Sequence, residues 1–324
     1  MLTDFQAEEN FYSKKFHFSY SGFNKLLFAP SAFYRHYILN QREDKMEQHL
    51  IEGSLLHCLL LEEDKFDDKY VVSPVNLPGD STKNVIDKVL TRVYANGHIP
   101  LSLEENEFDI LEVLKEINLH QSLKTDAQRV EKIVTDASKS YYDFLINKGD
   151  KSVIDNDTLE RVKGYAEIVR SNVKITSLLN IGSPNSFSEV PLVMETQYSF
   201  GLRGFVDNIN IDHSAKVIYI NDLKTSGKLL QDFPETIEYY KYWLQAAVYC
   251  RLVRANYPDL SDYKIKFHFI VVDKLTQCYA FEVSAVTLKE WLDKLDDVMK
   301  IADYHYTNRK YNLPYEYEVG NVIL

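Results

Sequence analysis

The sequence predicts a mixed α/β protein, with a central β-sheet flanked by helices and a largely helical N-terminal half. Helical periodicity dominates up to about residue 181, whereas alternation with β-branched residues is typical of 188–224, and both periods occur beyond it. The 324 residues suffice for one large domain or two ordinary ones. We interpret 1–324 as a single domain, with 75–181 as a mainly helical insertion and 182–324 as its core.

The N-terminal half begins with helical patterns. In "SYSGFNKLLFAPSAFYRHYIL", Ser21 is the expected N-cap of one helix and Pro30 is expected to open the next. "MEQHLIEGSLLHCLLLEEDKF" continues as a helix in which Gly53 and His57, four residues apart, share a face. Several more helical patterns fill the stretch between about 81 and 181.

The second half begins as an antiparallel meander. The segments "SEVPLVMETQYSF", "RGFVDNINI" and "KVIYINDLK" alternate apolar and polar residues between turn signals, so each predicts a strand. A helix is expected over 235–255, followed by the strands "KIKFHFIVVD" and "CYAFEVS" and a closing helix over about 286–305.

The net charge of −11 argues at first sight against nucleic acid as a partner, because phosphate binding depends on Lys and Arg. The charge is unevenly distributed, however. The segment from Asn10 to Arg42 has no Asp or Glu, but it has five Lys or Arg, two His and ten aromatic residues. Such a segment suits a DNA strand. The alternative is a helical segment that packs through its aromatic rings and leaves its lysines in solvent.

The cysteines and the apolar runs indicate the compartment. Cys58, Cys250 and Cys278 are odd in number and far apart, which is typical of reduced thiols in a cytosolic protein. No secretory signal is visible at the N-terminus, and the longest apolar run, "LLHCLLL", is too short to cross a membrane. We therefore expect a soluble cytoplasmic protein, in the host cytoplasm if it is viral.

Two aspartates and a lysine form the strongest candidate for a site. Asp207 and Asp222 fall at strand positions, where Asp is depleted, and Lys224 shares a strand face with Asp222. Two carboxylates and a backbone carbonyl, that of Leu223, suffice as protein ligands of Mg²⁺. Lys224 would then lie beside an attacking water, to orient it or to help remove its proton. The alternative is an exposed strand edge with a salt bridge.

Several motifs around this pair together resemble the PD-(D/E)XK nuclease superfamily, and within it the RecB-like and RecE-like DNA exonucleases of phage type. The resemblance rests on the segments "SYSGFNKLLFAPSAFYRHYI", "GSLLHCLLLE", "SEVPLVME", "GFVDNINI", "NDLK" and "YWLQAAVYCRL". Two departures are Val before Asp207, where the family often has Pro, and Asp at position 222, where it often has Glu. Both variants are common among RecB-like relatives. The resemblance implies a restriction-endonuclease-like fold.

The resemblance also implies roles for individual residues. His57, in the Gly-x-x-x-His motif, would be a metal ligand with Asp207, Asp222 and the Leu223 carbonyl. Glu189 would join Asp207, Asp222 and Lys224 as a catalytic residue. The DNA-binding candidates are Gln245, Tyr249, Ser19, Ser21 and Lys25.

The implied cofactor is Mg²⁺, with Mn²⁺ as the alternative, and three scattered cysteines exclude a four-cysteine iron–sulfur cluster. The function expected is metal-dependent exonuclease action at the ends of double-stranded DNA, in phage-type recombination or in repair. The alternatives are an endonuclease of the same fold and a DNA-end-binding protein without activity. The expected partners are DNA, a single-strand annealing protein and further copies of the chain, but no membrane.

Overall fold

The computed structural model describes residues 3–41 and 48–320. The chain divides into two compact units. The sheet unit comprises Met1–Glu62 and Gly164–Leu324, and the helical unit comprises Glu63–Lys163. The helical unit overlaps the predicted helical stretch, 75–181, with different boundaries. That this stretch is an insertion in a single domain stays a prediction.

Eight strands are described: β1 (His17–Phe18), β2 (Tyr70–Val72), β3 (Ser152–Ile154), β4 (Ser186–Glu195), β5 (Gly201–Asp212), β6 (Val217–Ser226), β7 (Lys264–Asp273) and β8 (Cys278–Val283).

The α-helices of the described residues are α1 (Asp4–Tyr12), α2 (Tyr20–Phe28), α3 (Pro30–Phe33), α4 (Gln48–Leu61), α5 (Phe66–Lys69), α6 (Asp80–Ala95), α7 (Glu107–Glu116), α8 (Asp126–Ile133), α9 (Asp136–Lys148), α10 (Asn156–Ser171), α11 (Val173–Leu179), α12 (Phe233–Tyr239), α13 (Tyr242–Asn256), α14 (Ala285–Asn308) and α15 (Tyr315–Val319). None of these helices combines the length and the apolar character that crossing a membrane would require.

Six strands of the sheet unit form one mixed sheet. β4, β5 and β6 pair antiparallel, as the sequence predicts, β6 pairs parallel with β7, and β7 pairs antiparallel with β8. A parallel pair needs a crossover connection, and α12 and α13 supply it between β6 and β7. The short β1 lies parallel beside the beginning of β5. The predicted mixed sheet with flanking helices is therefore present.

The sheet opens beside β5. β1 pairs with β5 at Gly201 and Leu202, and β6 pairs with β5 from Asn208 onwards, on the same side. Between these pairings, residues 203–207 have no strand partner on that side in the part of the chain that the structure describes. Side chains from β5, β6 and the flanking helices can meet at this opening.

The aromatic residues of the basic N-terminal segment lie mostly in the core. Phe18, Phe23 and Phe33 are fully buried, and the rings of Phe18 and Phe23 stack with centroids 4.7 Å apart. Phe28, in contrast, is 80% exposed. Residue 42, the end of this segment, lies outside the described residues. Burial of the rings favours the alternative interpretation, in which the segment packs through its aromatic residues.

Two local predictions are wrong. The N-cap of α2 is Ser19 rather than Ser21, because the Ser19 side chain accepts a hydrogen bond from the Gly22 amide. The single helix expected over 235–255 is interrupted, since α12 ends at Tyr239 and α13 begins at Tyr242. Lys241 between them has a φ of 55°, a left-handed conformation that no regular helix contains.

The helical unit has its own hydrophobic core. Fully buried residues of α6 and α7, among them Val85, Val89 and Ile110, form this core with Tyr142 of α9. Two short strands of the unit pair in parallel, with Tyr70 of β2 opposite Ser152 of β3. The chain therefore returns close to the point where it entered the unit.

Candidate active site

Asp207 and Asp222 lie next to each other where β5 and β6 separate. The last residue pair of these two strands is Asn208 with Asn221, and the two aspartates directly follow it at the opening. Asp207 is 5% exposed and Asp222 is fully buried. The Leu223 amide donates a 2.7 Å hydrogen bond to Asp207 Oδ2, so the backbone of β6 fixes this carboxylate of β5.

The backbone of β4 and β5 is distorted at this position. Val206 and Ile209 both lie in the main core although they are three residues apart, so the alternation of strand faces is broken between them. Glu189 lies across from Asp207, between the pairs Ser188 with Asn208 and Val190 with Val206. Its φ of 49° is rare for a residue other than glycine. The distortion accompanies a turn of the Glu189 side chain towards His57.

His57 joins residues of three strands. Its Nδ1 lies 3.2 Å from Glu189 Oε1, and its Nε2 lies 3.1 Å from the Leu223 carbonyl oxygen and 3.6 Å from Asp207 Oδ2. Burial lowers the pKa of the imidazole, but the neighbouring Asp207 and Glu189 outweigh this and raise it to about 9. His57 therefore lies beside Asp207, one of the two aspartates that the sequence analysis places around it.

Asp222 and Lys224 form a close ion pair, with Lys224 Nζ 2.5 Å from Asp222 Oδ2. The same ammonium lies 3.4 Å from the Leu223 carbonyl oxygen. Burial raises the pKa of Asp222 to about 6, although Lys224 opposes this rise. Burial lowers the pKa of Lys224, but Asp222 and Asp207 outweigh it, so the net shift is upward. The shared strand face predicted for this pair is present.

Helix α13 presents one amide and two tyrosine side chains on one face, those of Gln245, Tyr242 and Tyr249. Gln245 Nε2 donates a 3.0 Å hydrogen bond to the Tyr249 hydroxyl, and burial raises the pKa of Tyr249. The ring of Tyr242 has its centroid 4.9 Å from Lys224 Nζ. Tyr242 was not among the predicted site residues, although its spacing of three and seven residues from Gln245 and Tyr249 is that of one helix face.

A cavity of about 830 Å³ reaches several of the side chains of the candidate site. Its wall includes His57, Lys224, Tyr242, Gln245 and Tyr249, and also Ser19, Tyr20, Ser21 and Arg203. The candidate DNA-binding residues Ser19 and Ser21 therefore reach the cavity. Lys25 is not part of its wall, and its ammonium lies 3.4 Å from His36 Nδ1.

The model of the PD-(D/E)XK nuclease superfamily matches residues 17–311. The chain is a member of this superfamily. The superfamily and the restriction-endonuclease-like fold expected from the sequence are thereby confirmed, and membership of a superfamily of nuclease hydrolases supports nuclease activity. The match covers most of the chain, including His57, both aspartates and Lys224.

Solved structures give a more distant comparison. The nuclease is similar to a crystal structure of a candidate exonuclease from Eubacterium rectale, with a TM-score of 0.50 and 13% identity over 100% of this chain and 95% of the other. A likeness at this identity supports the shared fold. The structure of SSO0001 has a TM-score of 0.25 and 12% identity over 76% of this chain and 98% of the other, and it supports no inference. No curated protein matches the chain.

The donor atoms of this nuclease fit a divalent cation, as the superfamily requires. One ligand atom each of His57, Glu189 and Asp207 lies within 4.8 Å of the other two. Neither oxygen of the fully buried Asp222 accepts a hydrogen bond of good geometry from the described residues. The Lys224 ammonium, 2.5 Å from Oδ2, compensates part of this buried charge, but Oδ1 has no donor among the described residues, and a bound cation would supply a further partner. Oxygen ligands suit Mg²⁺ and Mn²⁺, and the imidazole suits several transition metals.

Proposed function

We propose that this nuclease is a divalent-metal-dependent exodeoxyribonuclease that hydrolyses phosphodiester bonds at the ends of double-stranded DNA. The observation that carries the proposal is the meeting of His57, Asp207, Asp222 and Lys224 at one opening of the sheet. Binding of DNA alone would not need buried carboxylates close to the phosphates, since without a cation they would repel the strand. The geometry therefore supports hydrolysis over simple DNA binding.

The proposed metal is Mg²⁺, with Mn²⁺ as the alternative. His57, Glu189, Asp207 and Asp222 would hold it, together with the Leu223 carbonyl oxygen. Such a cation polarises a phosphoryl oxygen and lowers the pKa of a bound water. Lys224 would hold a positive charge beside the reacting phosphate, where it stabilises the charge that develops in the transition state. Asp222, 2.5 Å from this ammonium, keeps it in position.

The walls of the cavity suit the DNA backbone. Gln245, Tyr249, Ser19 and Ser21 offer amide and hydroxyl groups, which commonly contact phosphate and sugar oxygens. Lys25 is proposed as a more distant phosphate contact. Exonuclease action is the part of the proposal that rests on analogy with the Eubacterium rectale protein, which is named as a candidate exonuclease.

The decisive experiment compares linear duplex DNA with covalently closed circular DNA. With Mg²⁺ the purified protein is expected to degrade the linear form and leave the circle intact, and EDTA is expected to stop the reaction. Release of 5′ or 3′ end label then gives the polarity. Cleavage of the closed circle would instead make the protein an endonuclease.

Lys224→Ala provides the matched test of the site. The substitution is expected to abolish hydrolysis while binding of linear DNA persists. The control is Lys264→Ala, which removes an exposed lysine at the start of β7. Full activity of Lys224→Ala would remove Lys224 from the mechanism. Absence of Mg²⁺ and Mn²⁺ binding in calorimetry would leave a DNA-end-binding protein as the function.

The biological role that fits this activity is resection of DNA ends in phage-type recombination or in repair. The exposed single strand would pass to a separate annealing protein. Assembly of several copies of the chain and a cytoplasmic location also stay predictions.

A further inference from the structure

Two neighbouring tyrosines project from the interruption between α12 and α13. Tyr239 is 73% exposed and Tyr240 is 45% exposed. Their ring centroids are 4.9 Å apart, with the ring planes nearly perpendicular. Exposed tyrosines of this kind offer large rigid surfaces for recognition, so their position in the molecule is informative.

These rings continue into the candidate active site. Tyr240 stacks on Tyr242, with centroids 5.5 Å apart and an interplanar angle of 24°. Tyr242 in turn lies 4.9 Å from Lys224 Nζ, which pairs with Asp222. We call Tyr239, Tyr240 and Tyr242 the tyrosine ladder. It leads from solvent to the Lys224 ammonium group, which lies beside the proposed site of hydrolysis.

The backbone of the ladder is held from α2. The Tyr20 hydroxyl donates a 2.5 Å hydrogen bond to the Tyr240 carbonyl oxygen, and Asn24 Nδ2 lies 3.5 Å from the same oxygen. Lys241 adopts its left-handed conformation immediately after this carbonyl. A conformation of this kind costs about 1 kcal/mol or more and persists only where its surroundings determine it. The exposed rings are therefore displayed by a fixed turn.

The charges around the ladder are mixed. Lys228 Nζ lies 5.9 Å from the Tyr239 ring centroid, and Lys241 belongs to the turn itself. Glu235 and Glu238 of α12 are also exposed. Because the charges nearly balance, attraction of phosphates is a weak basis for binding here. The rings are the distinctive feature, and rings bind the faces of nucleobases.

We propose that the tyrosine ladder binds unpaired bases of the substrate strand next to the site of hydrolysis. The inference rests on the proposed function, because the occupant is a single-stranded stretch of the DNA that is being degraded. Bases in an intact duplex are stacked on each other, so only an unpaired strand can place base faces on Tyr239 and Tyr240. Continuity of the rings with Lys224 favours this occupant over a protein partner.

The test is the affinity for a short single-stranded oligonucleotide with Ca²⁺ in place of Mg²⁺, so that a cation is present at the carboxylates. A denaturing gel checks that the oligonucleotide stays intact. Tyr239→Ala is expected to weaken binding roughly tenfold, since one stacked base contributes on this scale. Tyr239→Trp is expected to restore it, because the larger ring still stacks. A 2-aminopurine base in the oligonucleotide is expected to lose fluorescence on binding to the wild-type protein, and to lose less with Tyr239→Ala.

Tyr317→Ala is the matched control, because Tyr317 is 57% exposed and belongs to α15, which contacts α14. It is expected to bind the oligonucleotide as the wild type does. Equal affinity of Tyr239→Ala and wild type would overturn the proposal, as would an equal loss in Tyr317→Ala. Cleavage of blunt linear duplex with Mg²⁺, measured on wild type, tests the proposed function separately. If the wild type cleaves the duplex but its affinity for the single strand does not depend on Tyr239, the binding role of the tyrosine ladder is contradicted and the proposed function stands.

Discussion

The amide of Leu223 donates to Asp207 Oδ2 at 2.7 Å, while the carbonyl oxygen of the same residue lies 3.1 Å from His57 Nε2. One peptide segment of β6 thus fixes a carboxylate of β5 on one side and meets an imidazole of α4 on the other. The residues before and after Leu223, which are Asp222 and Lys224, form the buried ion pair. The candidate site is therefore organised around two successive peptide units of a central strand.

We predict that Lys224→Met destabilises the protein in the absence of divalent metal. The substitution leaves the fully buried Asp222 without its ammonium partner, and breaking a buried pair from one side costs about 3 kcal/mol or more. Urea unfolding in EDTA measures this change. The double variant Asp222→Asn/Lys224→Met is expected to lose less than the sum of the single variants. Strictly additive losses would contradict the coupling.

We predict that Glu189→Gly and Glu189→Ala differ in stability but not in their effect on metal binding. Both remove a carboxylate from the group around His57, so both are expected to weaken Mg²⁺ or Mn²⁺ binding by about tenfold or more. Glycine tolerates the φ of 49°, whereas alanine does not, so the glycine variant is expected to be more stable by about 1 kcal/mol. Calorimetric metal titration and urea unfolding measure the two effects. A more stable alanine variant would show that position 189 is not strained.

We predict that Gly204→Ala destabilises the packing of α13 on β5. An added Cβ would lie 3.0 Å from Tyr249 Cε1 and 3.1 Å from Leu252 Cδ1, so one of these side chains must move. Overpacking of this kind costs about 1–3 kcal/mol, and displacement of Tyr249 is expected to weaken DNA binding as well. Thermal unfolding and DNA affinity measure the two effects.

Gly164→Ala is the matched control for Gly204→Ala. Gly164 lies within α10 and a Cβ there meets no atom of the described residues within 4 Å, so alanine is expected to stabilise the helix by up to about 1 kcal/mol. Equal stability of the two alanine variants would refute the close approach of α13 at Gly204.

We predict that Tyr242→Leu lowers kcat more than Tyr242→Phe does. A phenyl ring preserves the cation–π contact with Lys224, whereas leucine removes it, and such contacts contribute about 0.5–2 kcal/mol. The expected loss for leucine is therefore roughly twofold to thirtyfold, chiefly in kcat, because Tyr242 acts by positioning Lys224. Steady-state kinetics on linear duplex DNA measure it. Equal losses in both variants would assign the effect to the hydroxyl group instead.

The strand pattern made much of the site predictable. Alternation places Asp222 and Lys224 on one face, and the antiparallel hairpin makes Asp207 their neighbour, so local rules suffice for these three residues. The contact of His57 with Leu223 spans 166 residues, so no local pattern encodes it. His57 could therefore be placed only through the resemblance of its motif. Sequence periodicity describes faces within an element and carries no information on contacts at such separation.

Other features could not be read from the sequence because tertiary contacts decide them. The interruption at Tyr240 and Lys241 is fixed by hydrogen bonds from Tyr20 and Asn24, more than two hundred residues earlier. The left-handed Glu189 depends on the break in alternation across from it. The aromatic residues of the N-terminal segment looked equally suited to a binding surface or a core, and packing against Phe200 decides for the core in the case of Phe18.

The pairing of β2 with β3 has a consequence for how the chain can vary. Tyr70 lies opposite Ser152, so the long stretch between them begins and ends at neighbouring backbone positions, like a loop closed at its base. Pairing of β2 with β3 closes this stretch at its two ends. The entropic cost of holding α4 near the later strands then depends only weakly on the number of residues between β2 and β3. Residues between β2 and β3 can therefore be inserted, deleted or exchanged, in evolution or by design, while His57 keeps its place in the sheet unit.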